Sequence, residues 1–288
     1  MRQTLKKGQQ LAFEKLNNFV RNDEAKVFIL KGYAGTGKTT MMKVFKEELD
    51  RKHLSYSLLA STGRAAKILS NATGSTTKTV HVEIYKYEDF NQDLEEVINK
   101  RNSPVVDDTG QILIQFGVEK ISRNGWYYII DESSMLSDWE DKLATQALFG
   151  SGRLLKDLLE YDPKGKFIFV GDACQLPPVQ QDEQDDISPA LSVEYFKKVF
   201  NIHAEEVELT EIIRQEKGND IILSAKRIRN LYNNPPHAKW AKFPFAGYKN
   251  IHLVNSEAEL IKNISEMLKR MDTITLPFLV IPISSAIF

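Results

Sequence analysis

A single cysteine, Cys174, in 288 residues leaves nothing from which to build a disulfide framework. This excludes the small stapled scaffolds of secreted proteins and points to a reducing, cytoplasmic setting. The five histidines, His53, His81, His203, His237 and His252, are too scattered to read as a zinc site. No segment approaches the roughly 18 consecutive apolar residues that a membrane span needs, and the first seven residues lack the apolar stretch of a signal peptide. A dominant charge is missing as well: 38 Lys and Arg oppose 39 Asp and Glu, for a net charge of −1. Any grip on nucleic acid must then be confined to one local groove. Internal repeats and long low-complexity tracts are also missing. What is present is 42% hydrophobic residues, enough for one large core or two modest ones.

Short β-branched and aromatic runs alternate with amphipathic stretches, the pattern of an α/β fold in which a parallel sheet is covered by helices. The runs predict strands at Val27 to Leu30, Tyr56 to Ala60, Trp126 to Ile130 and Lys166 to Val170. Each is followed by polar residues, and in such sheets ligands bind beyond the carboxyl ends of the strands. Between His81 and Trp126 the pattern changes to an acidic helical stretch from Tyr87 to Lys100, then a turn region, then alternating Ile112, Ile114, Phe116 and Val118. That reads as a small inserted subdomain containing a hairpin. The polar run Gln180 to Asp186 reads as a solvated loop.

Three of the strand ends carry chemistry. Gly32-Tyr-Ala-Gly35-Thr36-Gly37-Lys38-Thr39 satisfies the full P-loop pattern between a strand and the helix-forming run Thr40 to Leu49. Its glycines let backbone N–H groups turn inward around phosphates, with Thr36 and Thr40 inside and just after the loop. Lys38 brings a positive charge to the β and γ phosphates, and Thr39 offers a hydroxyl to magnesium, so ATP and Mg2+ are the expected cofactors. Tyr127-Tyr-Ile-Ile-Asp131-Glu132 is an apolar strand ending in two carboxylates. Taken alone that pair is equally an ordinary helix N-cap. Behind a P-loop it is expected to act as a Walker B element, with Asp131 holding magnesium through water and Glu132 polarising the attacking water. Phe167-Ile-Phe-Val-Gly171-Asp172-Ala-Cys-Gln175-Leu-Pro-Pro178 is a third buried strand with a stiff polar loop. In it Gln175 is a candidate contact for the γ-phosphate and a water.

With these motifs in this order, the chain resembles the N-terminal part of a superfamily 1 helicase of the RecD and Dda type, from Leu5 to about Leu279. The resemblance implies a RecA-like P-loop domain, 5′ to 3′ movement on single-stranded DNA, and specific roles for further residues. Leu5-Lys-Lys-Gly-Gln9 resembles the family's Q motif, which implies that Gln9 contacts adenine. Ser61-Thr62-Gly-Arg64 and Thr79-Val80-His81 resemble the motifs that line the DNA groove, so Thr62, Arg64 and His81 become DNA-contact candidates. Without the family these three would read as ordinary loop residues. Leu209-Thr-Glu-Ile-Ile-Arg214 resembles motif IV, whose arginine reaches the γ-phosphate. The insertion falls where these helicases carry a strand-separating pin, although Phe116 and Tyr85 are equally readable as core or as wedge.

The resulting expectation is a RecA-like domain at residues 1–82 and 126–274, interrupted by the insertion at 83–125, with an incomplete second domain beginning at 275–288. Leu276-Pro-Phe-Leu-Val280 resembles that domain's first strand, and the apolar tail Ile281 to Phe288 departs from the family's continuation. A truncated or frame-shifted gene is the explanation this suggests, and such a chain is expected to lack unwinding activity. The alternatives are a nucleotide-binding remnant, or another P-loop ATPase without motor function.

Overall fold

Val27, Phe28, Ile29 and Leu30 are all fully buried, which is what a strand covered on both faces requires. They open β1 (Val27–Gly32), and the other apolar runs form β2 (Ser55–Ala60), β6 (Trp126–Asp131) and β8 (Lys166–Gly171). With β3 (Thr77–Thr79) and β9 (Ala204–Leu209) they make a six-stranded sheet in the order β3-β2-β6-β8-β1-β9. Every pairing in it is parallel. All four strands expected from the sequence are present, each within two residues of its expected ends. The computed structural model describes residues 5–87, 114–139, 147–175, 188–211 and 256–269, together with Ser224 and Arg227. Residues 88–113, the loop at 180–186, Arg214 and the segment 275–288 lie outside the described residues.

Alternate residues along the central strands feed two separate cores, as the period of two dictates. Phe28, Leu30, Ile129, Ile168 and Val170 pack on one face with Leu16 and Phe19 of α1 (Lys7–Arg21) and Met41 and Phe45 of α2 (Lys38–Arg51). Ile29, Tyr128, Ile130, Phe167 and Phe169 pack on the other with Leu155 and Leu158 of α5 (Leu154–Tyr161) and with Phe196. Each such buried side chain contributes about 1.5–3 kcal/mol from removed apolar surface. The edge strand β9 differs: Glu205, Glu206 and Glu208 interrupt its buried Ala204, Val207 and Leu209. Charged residues of this kind discourage further strand addition.

Helix α3 (Gly63–Thr73) begins where the Thr62 side chain accepts the Ala65 N–H and ends at Gly74 in the left-handed conformation. After β3 the short α4 (Val80–Ile84) leads into a second sheet of three strands, β4 (Tyr85–Tyr87), β5 (Ile114–Val118) and β7 (Ala147–Phe149). β4 and β5 pair antiparallel, while β7, supplied from beyond β6, pairs parallel to β5. The expected strand through Ile114, Phe116 and Val118 therefore exists, with β4 and β7 as its partners.

By its contacts the chain divides into two compact units, Met1–Gln215 and Glu216–Phe288. All elements above belong to the first. In the second, α6 (Glu257–Lys269) starts at Ser256, whose hydroxyl accepts the Glu259 N–H at 3.2 Å.

Candidate active site

The parallel sheet delivers the P-loop, Asp131-Glu132 and Gly171-Asp172 to one edge, because β8 lies between β1 and β6 and all three run the same way. The P-loop turns from β1 into α2. Gly37, the residue before α2, has φ 89° and supplies no side-chain cap, and the first turn of α2 holds no acidic residue. The amino end of α2 thus keeps its backbone N–H groups and positive dipole end for an anion. A Cβ on Gly32 would lie 2.7 Å from the Thr36 hydroxyl and 3.1 Å from the Leu209 Cβ, so only glycine lets β9 close against the loop. Within the loop, the Thr36 hydroxyl donates to the Tyr33 carbonyl at 2.8 Å. The Lys38 ammonium donates to the carbonyls of Gly32 and Tyr33 at 2.7 and 3.2 Å. Thr39 and Thr40 follow in the first turn of α2, both half-buried.

Gln9 is buried at the start of α1, with both ends of its amide in use. Its Oε1 accepts the Lys6 N–H at 3.1 Å, and its Nε2 donates to the Thr36 carbonyl at 3.5 Å. The Q-motif position and the P-loop are therefore joined directly, one step removed from any base contact.

Asp131 ends β6 almost wholly buried. Its Oδ1 accepts the N–H of Glu132 at 3.0 Å. Burial, and then the neighbouring Glu132 charge, push its pKa up to about 6, while that N–H and the Lys38 charge oppose the rise. Lys38 follows β1 and Asp131 ends β6, so the two stand at the same edge of the sheet, on either side of β8. Glu132 itself sits at φ 52°, a left-handed conformation that a non-glycine residue adopts at a cost of about 1 kcal/mol or more. The reversal turns the chain from β6 into the 3-10 turn Ser133–Met135.

The loop after β8 joins this group through Ser134, whose hydroxyl donates to Gln175 Oε1 at 3.4 Å. A Cβ on Gly171 would lie 3.2 Å from the Ser134 N, so the two loops pack backbone to backbone. The Asp172 carboxylate accepts the Cys174 N–H at 3.0 Å and shapes the turn that presents Gln175. Ser61, part of the run Ser61-Thr62-Gly-Arg64, donates its N–H to the Asp131 carbonyl at 3.2 Å, whereas nothing in the sequence singles out Ser134. The Ser61 hydroxyl is buried with no hydrogen-bond partner among the described residues. Ser134 stands two residues beyond Glu132 and Ser61 one residue before Thr62, but spacing alone assigns neither of them a bond.

Thr62 and Arg64 follow the end of β2, and His81 follows β3, so these three also gather at the carboxyl edge. Thr62 is occupied in capping α3, and Arg64 is exposed on its first turn. His81 packs against Tyr85 and Phe149, with ring centroids 5.6 and 5.4 Å apart, and burial lowers its pKa. At neutral pH it is an uncharged aromatic surface rather than a partner for phosphate. Tyr85 is buried, and its hydroxyl donates to Asp157 at 2.7 Å. Phe116 stacks on Phe149 at 4.8 Å. Both are therefore packing residues of the second sheet. No cluster of three or more His, Cys, Asp or Glu suited to a metal occurs among the described residues. A cation here would draw on Asp131, the Thr39 hydroxyl and nucleotide oxygens, the donor set that suits magnesium. No described helix is long and apolar enough to cross a membrane.

Several known proteins are similar to this chain. The ATP-dependent RecD2 DNA helicase of Deinococcus radiodurans is 28% identical over 206 residues, covering 69% of this chain and 21% of the relative. The uncharacterized protein MJ1519 of Methanocaldococcus jannaschii is 32% identical over 182 residues, covering 60% of the chain and 13% of the relative. The chain thus spans about a fifth or less of the length of these two relatives. Among solved structures, the Pif1 helicase of Candida albicans aligns with 94% of this chain and 56% of its own, at 17% identity and a TM-score of 0.47. The model of the family described as AAA domain matches residues 4–232, the greater part of the sequence. The chain belongs to that AAA domain family, and its P-loop run Gly32 to Thr39 lies within the matched residues.

Proposed function

We propose that this chain is the ATP-hydrolysing motor unit of a DNA helicase that moves 5′ to 3′ along single-stranded DNA. The observation that carries the reading is Asp131: a buried carboxylate with few hydrogen bonds at the end of β6, sharing its field with Lys38 and bordered by a loop bonded to Gln175. The uncapped amino end of α2 receives phosphate, and Lys38 exchanges its carbonyl partners for β and γ oxygens. Thr39 and Asp131 hold magnesium, which when bound neutralises charge on the transferred phosphoryl group. Glu132 orients and deprotonates the attacking water. Gln175 senses the γ-phosphate and passes its state to Ser134 and the β6 loop. Gln9, bonded to Thr36, exchanges a protein bond for one to adenine, so base recognition tightens the phosphate loop. Arg214 adds a cation for the γ-phosphate. Thr62, Arg64 and His81 lie along the DNA path, with Arg64 meeting phosphate and His81 offering an uncharged ring face.

The test is ATP turnover with magnesium, measured with and without a single-stranded oligonucleotide, followed by translocation assays on tracks of opposite polarity. Turnover stimulated by DNA supports the motor reading. Nucleotide binding or turnover that DNA leaves unchanged would reduce it to a P-loop ATPase or remnant without motor function. Movement from 3′ to 5′ would overturn the direction alone.

A further inference from the structure

At the opposite, amino-terminal edge of the large sheet lies a cavity of about 340 Å3. Lys26 precedes β1, Pro163 precedes β8 and Ile202 precedes β9, and all three line it. At about 3.3 Å per residue, β1 sets this cavity roughly 20 Å from the P-loop. Its floor is the apolar lining formed by Leu159, Pro163, Val199, Phe200 and Ile202. Its rim is cationic, formed by Lys26, Arg153 and Lys156, with Glu160 as the opposing charge.

The rim cations differ in how they are engaged. Arg153 is fixed by Asp138, donating from its Nε to the carbonyl at 3.0 Å and from its NH2 group to the carboxylate at 2.5 Å. It forms a wall. Among the described residues the Lys156 ammonium meets Glu160, at 3.8 Å with both side chains well exposed, a pairing of little strength. Lys26 is in no ion pair among the described residues. Its ammonium stands 5.8 Å from the Phe167 ring centre, and the charge of Asp162 reaches it only at longer range. That carboxylate is already taken by Tyr128, Arg123 and Lys164.

A π-helical turn, Phe196–Phe200, closes on Asn201 in the left-handed conformation and presents the floor residues. The Ile202 N–H donates to the Phe196 carbonyl at 3.1 Å, which anchors the far side of the turn. Val199 is left 41% exposed, beside the exposed Lys197 and Lys198. Such turns interrupt regular hydrogen bonding and recur at functional sites.

From this pairing of an apolar floor with the lightly engaged cations Lys26 and Lys156, we propose that the cavity docks a short acidic and apolar segment of a partner protein. One apolar side chain would enter against Val199 and Ile202, while carboxylates meet Lys26 and Lys156. A nucleic acid fits less well, since a run of phosphates needs several free cations, whereas Arg153 is held by Asp138 and Glu160 lines the same small cavity. The location leaves the nucleotide edge free, so partner docking and ATP binding are compatible.

The probe is a fluorescein-labelled peptide, Glu-Asp-Leu-Phe-Asp-Leu, titrated with the full chain and followed by anisotropy. Saturable binding is expected, unchanged by saturating Mg-ADP and absent for a peptide with serines in place of the apolar residues. The surface variants Val199→Asp and Lys156→Glu should each weaken binding by about fivefold or more. Both should keep the thermal shift given by Mg-ATP, which establishes that they fold. No binding of the acidic peptide, equal binding by the variants, or displacement by a single-stranded oligonucleotide would each overturn the proposal. The last outcome would mark a general polyanion surface.

Discussion

Asp131 and Asp157 are both nearly inaccessible, yet they sit in opposite kinds of surroundings. Asp157, on α5, accepts the Tyr85 hydroxyl at 2.7 Å, the Ser151 N–H at 2.9 Å and the Ser151 hydroxyl at 2.6 Å. Asp138 and Asp162 follow the same rule. The first accepts from Arg153, Tyr195 and the Lys156 N–H, and the second from Tyr128 and the Arg123 and Lys164 N–H groups. Asp131 has the Glu132 N–H, and a like charge beside it. A buried carboxylate with several donors ties elements together, whereas one kept short of donors costs stability and is held ready for a cation. The same side chain thus stands among several donors on α5 and beside one donor and a like charge at the carboxyl edge of the sheet.

The largest expected effect lies at the carboxyl edge. Lys38→Ala should lower ATP turnover by about a hundredfold or more, because the charge that stabilises the phosphoryl oxygens is removed. The stabilisation against heat given by Mg-ATP should vanish with it, since only ligand bound to the folded state raises stability. The ligand-free melting temperature should barely move. A variant that still gains stability from millimolar Mg-ATP would detach the P-loop from nucleotide binding.

On the scaffold side the same experiment should invert. Asp157→Ala leaves the Tyr85 hydroxyl and the Ser151 donors buried without their acceptor, at a cost of about 3 kcal/mol. Denaturant unfolding of the ligand-free chain would read this loss directly. Whatever fraction remains folded should bind Mg-ATP with unchanged affinity. Loss of nucleotide affinity without loss of stability would erase the distinction between the two carboxylates.

Asp131→Asn sharpens the distinction from the other direction. A carboxyl whose pKa rises from 3.8 to about 6 on folding binds its proton more tightly in the folded chain. Stability is therefore gained as pH falls through about 6 towards 4, and the charged form at pH 7 costs roughly 3 kcal/mol at most. The asparagine variant should be more stable than the parent at pH 7 without magnesium, by about 1–3 kcal/mol. That advantage should shrink by pH 5, and magnesium-dependent nucleotide binding should weaken. Glu48 does not confuse this window, because Arg51 and Lys52 hold its pKa down to about 2 and its contribution is lost only below about 4.5. A destabilised variant at pH 7 would mean that Asp131 is structural after all.

What the sequence reveals follows from where the chemistry is local. The strands β1, β2, β6 and β8 are legible because burial on both faces demands unbroken apolar runs. β3 and β7 span three residues each, and β9 carries glutamates at its edge, so neither period nor composition marks them. The P-loop and Asp131-Glu132 are legible because backbone turn, cation and carboxylate must stand at fixed spacing. The Ser134 to Gln175 bond and the Gln9 to Thr36 bond are contacts across 41 and 27 residues, which no spacing rule encodes. Thr62 and His81 show the reverse: the family likeness assigns them to DNA, while local geometry also gives one a capping task and the other an aromatic packing task.

The smallest expected effect is at Arg64, where the trade between stability and readiness recurs on a helix. Arg64 is the second residue of α3, exposed in a first turn that contains no acidic side chain. A cation there opposes the helix dipole, so Arg64→Ala should leave stability unchanged or raise it by a few tenths of a kcal/mol. If the guanidinium meets a DNA phosphate, the same change should weaken single-stranded DNA binding by about two- to fivefold and flatten its salt dependence by roughly one counterion. Affinity for Mg-ATP should not change, because Thr62, not Arg64, holds the start of the helix through the Ala65 N–H. Anisotropy titrations of a labelled oligonucleotide at several salt concentrations separate the cases. An unchanged salt slope would make Arg64 an ordinary surface arginine placed where it helps neither the helix nor the track, and the DNA path would then have to be sought away from α3.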